Sequence, residues 1–119
     1  MKTDRKNTLF KVAETARALG HPARLQIVEL LLDRHICVGG EIVRELGLAQ
    51  STVSEHLRIL KQASIVCGEI EGPRVCYSLN PDGLALLSSW LQVTVEKVQQ
   101  HGALCDDEGR CNSEGASHE

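Results

Sequence analysis

The chain has 119 residues, of which 42% are hydrophobic but only 3% aromatic, and its formal net charge is −3. That length supports one domain with a real core, and the scarcity of aromatics favours helices packed through Leu, Ile, Val and Ala over an aromatic-rich β-sandwich. No apolar run approaches the roughly 18 residues of a membrane span, and the N-terminus is polar, without the apolar segment of a secretory signal. The chain therefore reads as cytoplasmic.

The charge is unevenly distributed. Residues 104–119 hold Asp106, Asp107, Glu108, Glu114 and Glu119 against Arg110 alone, a net −4, which leaves the other 103 residues at +1. A near-neutral body binds nucleic acid only if its few cations sit where the phosphates are, so electrostatic affinity should be modest. Five cysteines at irregular spacing in a reducing compartment argue against a disulfide framework and leave metal or redox chemistry open.

A first helix is expected over 8–19, with Leu9, Val12, Ala13, Ala16 and Leu19 on one face. Gly20 ends it, and Pro22 suits the first turn of the next. The second helix, over 23–34, carries Leu25, Ile27, Val28, Leu30, Leu31 and Leu32 and is apolar nearly all round, which predicts a buried central helix. A third, short helix over 41–46 turns Ile42, Val43 and Leu46 inward and is stopped by Gly47.

The segment Leu48–Ile65 follows. Val53, Leu57 and Leu60 recur at helical spacing, while Gln50, Ser51, Thr52 and Ser54 crowd the N-terminal part of the opposite face. Thr52 and Glu55 fit a capping box, which would place the helix start at Thr52. A short helix, a glycine turn and a helix with hydrogen-bonding side chains at its start form the helix-turn-helix layout, whose second helix enters the DNA major groove.

After Ser64 the period changes. Residues 66–71 and 74–79 are short, β-branched and bounded by glycine and proline, predicting a hairpin with its tip at Glu71-Gly72-Pro73-Arg74. A hairpin placed directly after a helix-turn-helix is a wing, and Arg74 at its tip is suited to a phosphate or the adjacent minor groove. Pro81 and Asp82 open a last helix over 83–100 with Leu84, Leu87, Leu91, Val95 and Val98 in one stripe and Trp90 beside it. The first and last helices together offer apolar faces for a second copy, so a two-fold dimer is expected. The expected fold class is mainly α with a small β-hairpin (α+β), a winged helix-turn-helix. Its body spans 1–103, and 104–119 forms an acidic, cysteine-containing tail that should be flexible unless something ties it down.

These residues carry a family resemblance. Leu19-Gly20-His21-Pro22-Ala23-Arg24-Leu25 with Ile27, then Gln50-Ser51-Thr52-Val53-Ser54-Glu55-His56-Leu57 and a Gly-Pro-Arg wing, resemble the ArsR/SmtB family over about residues 8 to 100. The resemblance implies a homodimeric repressor on double-stranded operator DNA, released when a metal or metalloid ion binds. By position it implies that Gln50, Ser51, Thr52 and Ser54 read base edges, and that Arg58 and Arg74 meet phosphate or minor groove. Glu55 departs from the histidine or basic residue often found there; it is suited to a cytosine amino group or, as favoured here, to capping the helix.

The family's ion sites are checked residue by residue. The zinc site of the last helix requires His residues, and 83–100 has none. The Cys-x-Cys of many arsenite-responsive members is reduced to Cys37-Val38-Gly39, which keeps one thiol. Cys105 and Cys111 frame a glycine-containing loop that lets their sulfurs converge, and Cys37 supplies a third thiolate, from the partner chain because the tail leaves the dimerising helix. Three thiolates suit the soft ions As(III), including methylated As(III), and Sb(III). This arrangement resembles family members with C-terminal cysteines. Cys67 and Cys76 lie on opposing strands, close enough in sequence pattern to be cross-strand neighbours, and read as packing residues. Alternatives are a Cys105–Cys111 redox switch and a zinc or cadmium site using His101 and His118, whose spacing does not match a closed tetrahedral site. No nucleophile–base pair, phosphate loop or paired catalytic carboxylates point to an enzyme.

Overall fold

The computed structural model describes residues 2–33, 39–71, 74–101, 104–105 and 111–112. The described elements are α1 (Lys2–Leu19), α2 (Pro22–Asp33), α3 (Gly39–Leu46), α4 (Gln50–Gln62), β1 (Val66–Glu71), β2 (Arg74–Leu79), α5 (Pro81–His101), β3 (Leu104–Cys105) and β4 (Cys111–Asn112). They fall into two compact units, Met1–Leu87 and Ser88–Glu119, with α5 running through both.

In the first unit, α1 begins six residues before the expected start and turns Val12, Thr15 and Ala18 inward. Thr15 is tolerated there because its hydroxyl donates to the Lys11 carbonyl at 3.1 Å. Pro22 is the first residue of α2, where its missing N–H costs no helical hydrogen bond. Contrary to the expectation of a helix buried all round, α2 buries one stripe, Ala23, Ile27 and Leu31, while Leu25 and Leu32 are exposed. Helices α1, α3 and α4 and strand β2 lie against it, and i, i+4 spacing turns that stripe fully inward, with Val28 and Leu30 packed at its margin.

Gly47 at φ +69° closes α3 through its N–H to the Val43 carbonyl, a left-handed cap open to glycine without a Cβ penalty. Two further residues lead into α4, so α3, turn and α4 form the expected helix-turn-helix. The core joining these elements is aliphatic: Ile27, Ile42, Leu60 and Ile65 are fully buried, with Val53, Leu57, Leu31 and Val66 beside them. Each such side chain contributes about 1.5–3 kcal/mol relative to exposure.

Strands β1 and β2 pair antiparallel in the register Val66↔Leu79 to Glu71↔Arg74. Buried Val66 fixes which face is inward, and Tyr77 and Leu79 pack against the core from the opposite strand. The hairpin tip at Gly72-Pro73 lies outside the described residues. Cys67 pairs with Ser78 and Cys76 with Glu69, so the two cysteines stand two rungs apart on one face and are not direct partners. Cys67 is exposed, which corrects its reading as a packing residue; it alternates with buried Val66 and so points away from the core.

The second unit contains α5 beyond Leu87 and the ladder of β3 with β4. No residue of α5 is buried, and Trp90, Leu91, Val93, Val95 and Val98 are all exposed. The part of the tail that was expected to lack structure holds a two-residue antiparallel ladder, Leu104↔Asn112 and Cys105↔Cys111. Among the described residues, no helix is long and apolar enough to cross a membrane.

Candidate nucleic-acid interface and sensing cysteines

Helix α4 begins at Gln50, three residues earlier than a capping box on Thr52 requires. Its N-cap is Ala49, which has no side-chain oxygen, and no side-chain hydrogen bond caps the helix. Gln50, Ser51, Thr52 and Ser54 are exposed around this open, electropositive end. Val53, Leu57 and Leu60 hold the opposite face in the core. The sequence therefore divides the helix as expected, but the start is set by the chain leaving the turn, not by Thr52.

The capping role given to Glu55 is corrected by the same shift. Glu55 instead grips Arg58 one turn on, with Nε donating to Oε1 at 3.0 Å and Nη2 to Oε2 in a second bond. Glu55 is too far along the helix to reach the N-cap N–H, whereas i, i+3 spacing puts it beside Arg58. The guanidinium holds the carboxylate below its ordinary titration range, first through the hydrogen bond and then by charge, and the carboxylate raises Arg58 in return. Both side chains are about half exposed, so the pair orients Arg58 more than it stabilises the fold.

Arg74 is the first residue of β2, opposite Glu71 at the tip end of the wing. Cys37 lies outside the described residues, as do His118 and most of the acidic tail. Cys105 and Cys111 are direct partners in the β3–β4 register. Cross-strand Cα atoms in an antiparallel pair lie roughly 4.5–5.5 Å apart, so the backbone brings these two residues together. Among the described residues, no cluster of three or more His, Cys, Asp or Glu stands ready to hold a metal ion.

A second polar group centres on His56, on the apolar face of α4 and only 8% exposed. Arg24 of α2 donates from Nη1 to His56 Nδ1 at 3.1 Å and from Nε to the Ala18 carbonyl at 2.6 Å. The His21 ring lies 4.6 Å away and tilted, and its own Nδ1 accepts the Ala23 N–H at 3.0 Å, capping α2. One guanidinium thus ties the end of α1, the start of α2 and the middle of α4. The sequence pattern gave two signals for this cluster, a histidine three residues after Val53 on an apolar face and another just before a helix-opening proline. Neither signal links the two across the 34 residues between them.

A helix-turn-helix followed by a two-stranded wing, with an exposed polar helix start, defines a winged helix-turn-helix DNA-binding protein. The sequence profile of the bacterial regulatory proteins of the arsR family matches residues 21–67. Rv0081 of Mycobacterium tuberculosis, an uncharacterised HTH-type transcriptional regulator, is 34% identical over 101 residues, covering 83% of this chain and 89% of that one. The homodimeric winged helix-turn-helix domain of Mb0332 from Mycobacterium bovis, a possible ArsR-family regulator, superposes with a TM-score of 0.62 at 31% identity, over 82% of this chain and 92% of the other. A possible transcriptional regulator for arsenical resistance superposes with a TM-score of 0.63 at 26% identity, over 68% of this chain and 83% of the other. The chain belongs to the arsR family. It is a DNA-binding transcriptional repressor of that family, not an enzyme.

Proposed function

We propose that this repressor leaves its operator when As(III), methylated As(III) or Sb(III) is captured by the thiolates of Cys105 and Cys111, joined by Cys37. The observation that carries the reading is the direct Cys105↔Cys111 register. Cysteines directly opposed in a ladder bring two soft donor residues to one place along the backbone, and trivalent arsenic and antimony favour sulfur. The likeness to a possible regulator for arsenical resistance supports the same effector class.

The protein acts as a homodimer through its first and last helices. Leu9 and Phe10 of α1, and Trp90, Leu91, Val95 and Val98 of α5, remain exposed in the isolated chain; apolar exposure on this scale marks an association surface. Gln50, Ser51, Thr52 and Ser54 read base edges in the major groove, while Arg58 and Arg74 contact phosphate or the minor groove, in the cytoplasm. Residues 1–103 serve DNA binding and dimerisation, and 104–119 serve sensing. Because the tail follows the dimerising helix, its thiolates meet the Cys37 of the opposite copy, which couples ion capture to the spacing of the two recognition helices.

Gel-shift titration tests this reading. Arsenite or antimonite releases the wild-type protein, and C37S, C105S and C111S each blunt that release; variants that still let go at wild-type concentrations overturn the site. The same register suits a second reading, a disulfide between Cys105 and Cys111. Release by peroxide, reversed by dithiothreitol and without response to either metalloid, selects it. Release by zinc or cadmium alone assigns a different ion and refutes the metalloid site.

A further inference from the structure

The cluster of His21, Arg24 and His56 is not used by metalloid sensing, and its hydrogen-bond directions are set by chemistry. A guanidinium has no acceptor, so Arg24 Nη1 must donate and His56 Nδ1 must present a lone pair. A backbone N–H likewise only donates, so His21 Nδ1 also accepts, from Ala23. The His56 ring is therefore held in the neutral form with the proton on Nε2. A proton added to either Nδ1 removes one of these bonds.

The surroundings reinforce this. The charges acting on His56 come from His21 in the turn between α1 and α2, from Arg24 on α2 and from Glu55 beside it on α4. Among the described residues, α3 and the hairpin add none, and α1 contributes through Arg24 only the Ala18 carbonyl. Glu14 and Arg17 of α1 line a groove together with Arg24 and Arg58 but are not among the groups that act on the ring. The one anionic neighbour, Glu55, is already engaged by Arg58. Burial, His21 and Arg24 all oppose a positive charge on His56, and its titration is displaced downward.

We propose that His56 is a positioning residue for DNA binding: neutral, it locks the recognition helix α4 to α1 and α2 through Arg24, and protonated, it releases that lock and weakens operator binding. A protonated His56 has to leave the Arg24 guanidinium, and its backbone lies in the middle of α4, just after the exposed polar start and flanked by Glu55 and Arg58. A shift of that helix moves every proposed base contact together. The direction is diagnostic, because added positive charge alone strengthens phosphate binding, whereas loss of the lock weakens it.

The test is fluorescence anisotropy of the full-length dimer on a duplex selected from a random-sequence pool, between pH 7.5 and 5.5 at constant ionic strength. Wild-type affinity falls about fivefold or more across that range. H56N, whose amide oxygen can accept from Arg24 but cannot titrate, gives a markedly flatter profile relative to its own affinity at pH 7.5. A wild-type profile that is flat or rises on acidification overturns the proposal, as does an H56N profile as steep as wild type. A second measurement needs no variant: the His56 ring proton is followed by NMR, and its titration point lies lower in the DNA complex than in the free dimer. Equal titration points overturn the proposal regardless of how H56N folds.

Discussion

Gly83 and Ser64 approach so closely that a Cβ added to Gly83 would lie 1.9 Å from the Ser64 carbonyl oxygen. The first turn of α5 is thereby seated on the turn that ends α4, with no room for a side chain. Neighbouring hydrogen bonds fix the same junction: the Asn80 N–H donates to the Ile65 carbonyl at 2.8 Å, and Asn80 Oδ1 accepts the Asp82 N–H at 3.1 Å. Asn80 is thus the cap of α5, where the helix start leaves its first N–H groups unpaired.

G83A should consequently destabilise the protein, because the obstacle is backbone and cannot rotate away. Overpacking of this kind costs typically about 1–3 kcal/mol, and the melting temperature should drop by roughly 4–8 °C per kcal/mol for a domain near this size. Calorimetry or thermal circular dichroism measures it; an unchanged melting point refutes the seating.

Ser64 itself should be improvable. It has φ +63°, and its N–H donates to Lys61 while the Ile65 N–H reaches back to Leu60, the bond pattern of a Schellman cap. Glycine is the residue suited to that position, so S64G should raise stability by about 0.5–1 kcal/mol, since a left-handed L-residue costs about 1–2 kcal/mol and glycine gives back part through chain entropy. A urea midpoint shifted upward at constant m-value is the expected observation.

E55Q should strengthen DNA binding. The bidentate partner of Arg58 loses its charge, and a freed guanidinium becomes available to a phosphate. The slope of log affinity against log salt should steepen by about one unit per added phosphate contact, with little change in thermal stability because the pair is half exposed. Identical slopes for wild type and variant count against Arg58 as a phosphate contact.

Stability should also depend on acid in a window assigned to His56. Its folded titration lies below the ordinary 6.5, so as pH falls past 6.5 the unfolded chain takes up the proton first. The folded state then loses stability until the folded value is passed; above 6.5 the contribution is complete. Glu55 acts separately and lower, because its depressed carboxylate gives stability that is lost only below 4.5. Denaturant midpoints at pH 7.5, 6.5 and 5.5 should fall for wild type and fall less for H56N.

The sequence by itself determined the order of elements and the inward face of α4, but not that of α1, where Val12, Thr15 and Ala18 are buried while Leu9, Ala13 and Ala16 are exposed. Val53, Leu57 and Leu60 were legible as buried because their spacing is that of a helix, and Gly47 and Pro22 marked boundaries through their own backbone chemistry. The polar start of α4 was legible for the same local reason. Contacts that pair residues distant along the chain were decided only by the tertiary structure. Glu55 could be matched with Thr52 or Arg58 by spacing alone, and it was the true start of α4 at Gln50 that selected Arg58. Likewise α2 looked apolar all round, but its neighbours bury Ala23, Ile27 and Leu31 and leave Leu25 and Leu32 exposed. The lock of Arg24 on His56 joins positions 32 apart, and local periodicity carries no information on which buried polar groups meet across helices. The spacing of Cys105 and Cys111 suggested that they converge, but their direct register is a property of the β3–β4 ladder.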